Sequence, residues 1–159
     1  MRVRDATAAD RDWLEPFLAR NHMRPVARRG AVLWPLDHPM LIAQTDDGRP
    51  AGVLTYIPAE GECEVLTLHA VDQWQGAGTA LIAAIRAMAA DRGWRRVWLV
   101  TTNDNVDALR FYQRRGFRLT ALRPGAIDAA RRSVKPEIPL VGNYGIPIRD
   151  EIELELVLG

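Results

Sequence analysis

Apolar and polar residues alternate in short bursts along this chain, and between the bursts lie longer stretches in which apolar residues recur every three to four positions. The bursts read as strands at Val3–Thr7, Met40–Thr45, Ala51–Ile57, Glu62–Val71, Val97–Thr101, Phe117–Leu122 and Glu151–Leu158. The longer stretches read as helices at Ala8–Arg20, Leu81–Arg92, Val106–Arg115 and Ala126–Arg132, with Gly93 and Gly116 as stops for the second and third. The turn Asp46-Asp47-Gly48-Arg49-Pro50 makes the second and third strands antiparallel neighbours, and Pro58–Gly61 turns into the fourth. Asn21–Asp37 reads as irregular, broken by Pro25, Gly30 and Pro35. The alternating acids of Glu151–Leu158 read as a strand with one wet face, and Asp150, Glu151, Glu153 and Glu155 as a solvated strand edge. Trp13, Trp34, Trp94 and Trp98 read as core. The order of elements predicts an α/β fold with a mixed sheet and helices on both faces, and the length favours a single domain over 1–159.

The segment Trp74-Gln75-Gly76-Ala77-Gly78-Thr79-Ala80 joins the fourth strand to the Ala-rich helix. A glycine turn opening a helix presents backbone N–H groups that have no acceptor inside the helix. Together with the positive end of the helix dipole they suit a phosphate-bearing ligand.

Composition removes several other function classes. The formal net charge is +1, so no global field draws the chain to nucleic acid or to a membrane surface. One cysteine, Cys63, excludes an intrachain disulfide, and the three histidines (His22, His38, His69) show no metal-ligand spacing. No apolar run approaches the ~20 residues of a membrane span, and no signal-peptide pattern opens the chain, so a cytoplasmic protein is the expectation. A nucleotide-hydrolysing P-loop needs a lysine that this turn lacks, and a dinucleotide fingerprint needs a small residue where Leu81 stands.

The remaining pattern resembles the GNAT superfamily of acyl-CoA-dependent N-acetyltransferases. Gln75-x-x-Gly78-x-Ala80 matches its Q/R-x-x-G-x-G/A signature after the fourth strand, with Trp74-Gln75-Gly76 at the aromatic step. Asn105, Ala108, Phe111-Tyr112 and Gly116-Phe117 follow as a second pattern, so the core motifs span residues 62–119. The resemblance implies a mostly antiparallel sheet whose fourth and fifth strands run parallel and splay apart. It also implies acetyl-CoA as cosubstrate, no metal, and a small-molecule or peptide amine as acceptor.

By the same resemblance, the main chain of Gln75, Gly76, Ala77, Gly78, Thr79 and Ala80 holds the pyrophosphate. Leu68, His69, Ala70 and Val71 meet the pantetheine amides by strand addition, and a backbone N–H near Ala70 meets the oxyanion. His69 reads as packing beside the cosubstrate rather than as a base. Asp104 or Asn105 can cap the helix Val106–Arg115, and the resemblance implies that Asn105 also binds the pantetheine or a nearby phosphate. Tyr112 stands at the position of the general acid, and Glu64 where some members place a catalytic glutamate. Period two puts Glu62, Glu64, Leu66 and Leu68 on one strand face.

The chain departs from the family at Arg123–Asp150, a proline-rich connection where many relatives have a close hairpin. Its length predicts part of the acceptor pocket or a lid, with a homodimer contact as the alternative. A catalytically silent acyl-CoA-binding module on the same fold is the rival to an enzyme, since only Tyr112 and Glu64 separate the two.

Overall fold

The computed structural model describes residues 1–21, 25–73 and 75–158. Its strands are β1 (Arg2–Asp5), β2 (Val26–Arg28), β3 (Ala31–Leu33), β4 (Met40–Gln44), β5 (Pro50–Ala59), β6 (Glu62–Ala70), β7 (Arg96–Thr102), β8 (Arg118–Arg123) and β9 (Glu151–Val157). Its α-helices are α1 (Arg11–Arg20), α2 (Ala77–Arg92), α3 (Val106–Arg114) and α4 (Ala126–Ser133). The fold is of the expected α/β class, with a seven-stranded mixed sheet and a separate two-stranded hairpin. The chain divides into two compact units: Met1–Pro25, Trp34–Val97 and Leu158–Gly159 form one, and Val26–Leu33 with Trp98–Val157 the other.

In the first unit β1, β4, β5 and β6 pair antiparallel in that order. Val53 lies between Ile42 and His69, and Thr55 between Met40 and Thr67. Cross-strand partners point to the same side, so these six residues share one face. Helix α1 covers it: Leu14, Phe17 and Leu18 pack with Met40 and Val53. The opposite face takes α2, whose Leu81, Ile82, Ile85 and Ala89 form a buried stripe. Trp34 departs from the expected core position, with 48% of its surface exposed, whereas Trp98 is buried.

Asp10 organises the start of this unit. Its carboxylate accepts both Arg4 Nη groups at 2.7 and 2.8 Å, the Thr7 N–H at 2.8 Å and the Trp13 indole N–H at 3.3 Å. The Arg4 hydrogen bonds, aided by those of Thr7 and Trp13, outweigh the opposing effect of burial and hold the carboxyl well below the usual carboxylate range. A lowered folded-state pKa stabilises above the unfolded value and is lost as pH falls through the folded one. Stability should therefore decline progressively below about pH 4. Asp10→Asn should lower stability at neutral pH by about 2 kcal/mol and flatten that decline. Urea unfolding measured from pH 2 to 7 checks it, and an unchanged acid slope in the variant would refute the assignment.

In the second unit the strand order is β7-β9-β8. The stretch expected to be irregular contains the β2–β3 hairpin, turned at Arg29 (φ 50°) and Gly30 (φ 76°). Its tip is held by β9, because the Arg29 N–H donates to Glu151 Oε1 at 2.8 Å. The guanidiniums of Arg28 and Arg29 stand 5.8 and 5.3 Å from the centre of the Trp98 ring. The wet face expected of the last strand is overturned at two positions, since Glu151 is 2% and Glu153 8% exposed. Arg123 explains the difference: its Nε donates to Glu151 and its Nη2 to Glu153 at 3.0 Å.

The connection before β9 is well structured. After α4, Val141 bridges Pro147, Ile148 N–H donates to Leu140 O at 3.0 Å, and a tight turn runs through Asn143–Gly145. Arg131 of α4 holds the base of this hairpin, donating to the carbonyls of Ile138, Pro139 and Ile148 at 2.8–2.9 Å.

Candidate active site

Helix α2 begins at Gly76, whose φ of 89° lies in the left-handed region that glycine adopts without strain. Gly76 itself has no side chain to cap this end, and no acid stands in the helix's first turn. The first helical bond runs from Ala80 N–H to Gly76 O at 3.0 Å, so the N–H groups of Ala77 and Gly78 precede any intrahelical acceptor. Gln75 and Gly76 are exposed. Thr79 is also exposed, while Ala77 is turned inward and buried. Trp74, the aromatic residue of the motif, lies outside the described residues, as does His22.

Gly52 on β5 explains how this turn comes so close to the sheet. A β-carbon there would lie 3.1 Å from Ala77 Cβ, 3.1 Å from His69 O and 3.2 Å from Leu81 Cδ1. Sequence reasoning passed over Gly52, although a glycine inside a strand pattern is a signal of close approach.

The β5–β6 register corrects the expected face of Glu64. Thr55 pairs with Thr67 and Tyr56 with Val65, so Leu66 is unmatched. This one-residue shift breaks the period of two. Glu64, opposite Ile57, therefore shares its face with Thr67 and His69, and not with Leu68. That face carries a row of buried polar groups: Glu64 is 3% exposed, and Thr67 Oγ1 donates to Thr55 Oγ1 at 2.7 Å. His69 meets the Phe17 ring edge-on at 5.5 Å between centroids. Burial lowers its pKa, so it is neutral at physiological pH.

The four residues Leu68–Val71 do not present equivalent backbone edges. Val71 N–H donates to Ala51 O at 2.8 Å, so Val71 and, two residues back, His69 turn their peptide groups toward β5. Leu68 and Ala70, by alternation, turn theirs away from it.

Asn105 and Tyr112 belong to the second unit. Asn105 caps α3, its Oδ1 accepting the Ala108 N–H at 3.3 Å. Tyr112 is buried, with its ring 5.1 Å from that of Phe111 and 5.3 Å from that of Phe117. Burial pushes its phenol above the ordinary range, so it is fully protonated at neutral pH. Sequence reasoning passes over Asn103 and offers Asp104 only as an alternative cap; Asn105 takes the cap, while Asn103 and Asp104 bind the connection before β9.

Among the described residues no group of three or more His, Cys, Asp or Glu side chains is placed to hold a metal ion. None of the described helices is long and apolar enough to cross a membrane.

Residues 8–117 match the model of the acetyltransferase (GNAT) family. The chain is 45% identical over 109 residues to the uncharacterized protein YxbD of Bacillus subtilis, covering 69% of this chain and 68% of that one. It is 33% identical over 92 residues to the uncharacterized N-acetyltransferase Rv2669 of Mycobacterium tuberculosis, covering 56% and 59% respectively. A Bacillus subtilis acetyltransferase in complex with CoA superposes with a TM-score of 0.73 over 99% of both chains at 18% identity, a likeness of fold.

Proposed function

The chain belongs to the acetyltransferase (GNAT) family, and from that premise we propose that it transfers an acetyl group from acetyl-CoA to a primary amine by direct attack. The observation that carries the reading is the α2 N-terminus. Gly76 supplies no side-chain cap, no acid stands in the first turn, and Gly52 lets the turn lie close to the sheet. The pyrophosphate of CoA is the ligand such an end favours. Gln75, Gly76, Ala77, Gly78, Thr79 and Ala80 hold it, and the outward peptide groups of Leu68 and Ala70 receive the pantetheine. His69 and Val71, whose peptide groups turn toward β5, serve as side-chain packing beside it.

The amine nitrogen attacks the thioester carbonyl carbon, and a tetrahedral oxyanion forms. The Ala70 N–H donates to that oxygen. The C–S bond then breaks, and Tyr112 gives its phenolic proton to the departing thiolate. Glu64 takes the proton released by the amine; its burial favours a water between the two. Asn105 orients the cosubstrate while it caps α3.

The burial of both Glu64 and Tyr112 is also what a silent acyl-CoA-binding module would have. Thermal shift and thiol release separate the readings. CoA at 100 times its dissociation constant should add ~2.7 kcal/mol to stability. Acetyl-CoA with a panel of amines should release free thiol. Binding without thiol release for any amine leaves the silent module, and no shift at millimolar CoA sinks both.

A further inference from the structure

The connection Arg123–Asp150 is tied to the loop that leads into α3, and through consecutive residues of that loop. Asn103 makes four hydrogen bonds to it. Its Nδ2 donates to Pro147 O at 2.9 Å, its Oδ1 accepts Arg149 N–H and Asp150 N–H at 2.9 and 3.0 Å, and its own N–H donates to Asp150 O at 3.1 Å. Asp104, only 4% exposed, accepts Asn143 N–H at 3.0 Å on one carboxylate oxygen and the Thr102 hydroxyl on the other. One residue further on, Asn105 caps the helix.

The connection is shaped to fit. A β-carbon on Gly142 would overlap the Asp104 carboxylate and come within 2.8 Å of Ile148 Cδ1, so only glycine allows the approach. Tyr144 accepts a left-handed backbone (φ 59°), and its hydroxyl donates to the Asp107 carboxylate in the first turn of α3 at 2.8–2.9 Å. Arg131 fixes the hairpin's base to α4, so the tip is presented as a rigid piece.

We propose that the hairpin at residues 140–148 is a clamp on the start of α3, with Asp104 its central positioning residue, and that it sets affinity for acetyl-CoA rather than for the amine. The inference rests on the reading of Asn105 as a cosubstrate-binding cap. Asp104 reaches no reacting atom; it acts by fixing the backbone on which Asn105 stands. A connection that walls the acceptor pocket or closes as a lid would instead act on the amine.

Calorimetric titration of CoA into wild type, Gly142→Ala, Asp104→Ala, Asp104→Asn and Tyr144→Phe tests it, with the Michaelis constants for acetyl-CoA and amine measured alongside. Gly142→Ala and Asp104→Ala should weaken CoA binding about tenfold, the equivalent of one buried hydrogen bond or slightly more. Asp104→Asn should recover part of the loss, because an amide oxygen still accepts the Asn143 N–H. Tyr144→Phe, a mild change at an exposed ring, should weaken binding about twofold without unfolding the chain. The amine constant should stay within about twofold throughout. Wild type that binds CoA while the variants bind it equally well, with only their melting temperatures lowered, would overturn the clamp and leave the proposed function intact. A rise confined to the amine constant would also overturn it. Wild type that fails to bind CoA would overturn the functional reading itself.

Discussion

Replacing Tyr112 by phenylalanine is expected to lower kcat by roughly 10²-fold while the protein keeps its stability and its affinity for acetyl-CoA. The ring contacts with Phe111 and Phe117 depend on the aromatic faces and edges, which phenylalanine retains. Only the proton donor is lost, and the thiolate must then leave unprotonated or take its proton from water. The pH profile carries a second signature. Burial raises the phenol above its ordinary value, so the donor is protonated through the physiological range and ionises only well into alkali. The alkaline fall in kcat should accordingly lie above about pH 10 and should vanish in Tyr112→Phe. Steady-state rates from pH 6 to 11 measure both. An unchanged kcat would leave Tyr112 as a packing residue.

Arg123→Met is expected to cost about 3 kcal/mol of stability, the largest loss foreseen for a single change of charge in this chain. The guanidinium, itself partly exposed, reaches two carboxylates that are nearly inaccessible, with side-chain exposures of 2% for Glu151 and 11% for Glu153. Methionine matches much of the arginine stem but leaves both acids without that countercharge. Neutralising the acids in the same chain, as Arg123→Met/Glu151→Gln/Glu153→Gln, should restore most of the loss. The amide oxygen that Glu151→Gln introduces can still accept the Arg29 N–H that secures the β2–β3 tip. Equilibrium urea unfolding of the single and triple variants makes the comparison. A loss below about 1 kcal/mol in the single variant would mean that solvent screens the network.

Much of the architecture was legible because it depends on local pattern. Among the described residues, the seven longer strands and the four α-helices lie close to where alternation, spacing and glycine stops put them, and the Gln75–Ala80 turn opens α2 as its glycines suggest. What escaped was information held by partners. The β2–β3 strands are three residues each and turn at Arg29-Gly30, too short for a period of two and without the usual asparagine at a primed turn. The alternating acids of β9 look solvated until Arg123, far back in the chain, is seen to bind them. The slip at Leu66 sits inside the apolar run Val65-Leu66, where either phase reads equally well, so the face given to Glu64 was wrong. Gln75, Asn105 and Tyr112 are proposed for the site through motifs. Gly52 and Thr55 matter through what they touch, and no motif marks them; Asp104 reads as a possible cap, but its partners are Asn143 and Thr102.

The unmatched Leu66 also bears on how this chain can be recombined with its relatives. Splicing in a β6 of equal pattern but one residue shorter would leave the hairpin from Pro50 able to close, yet turn every side chain beyond the junction through half a rotation. His69 would then leave Phe17 and press on Ala77 and Leu81, where Gly52 leaves no room for an imidazole. Chimeras that exchange this strand should be cut outside residues 62–70, so that donor and recipient keep the same inward and outward sequence.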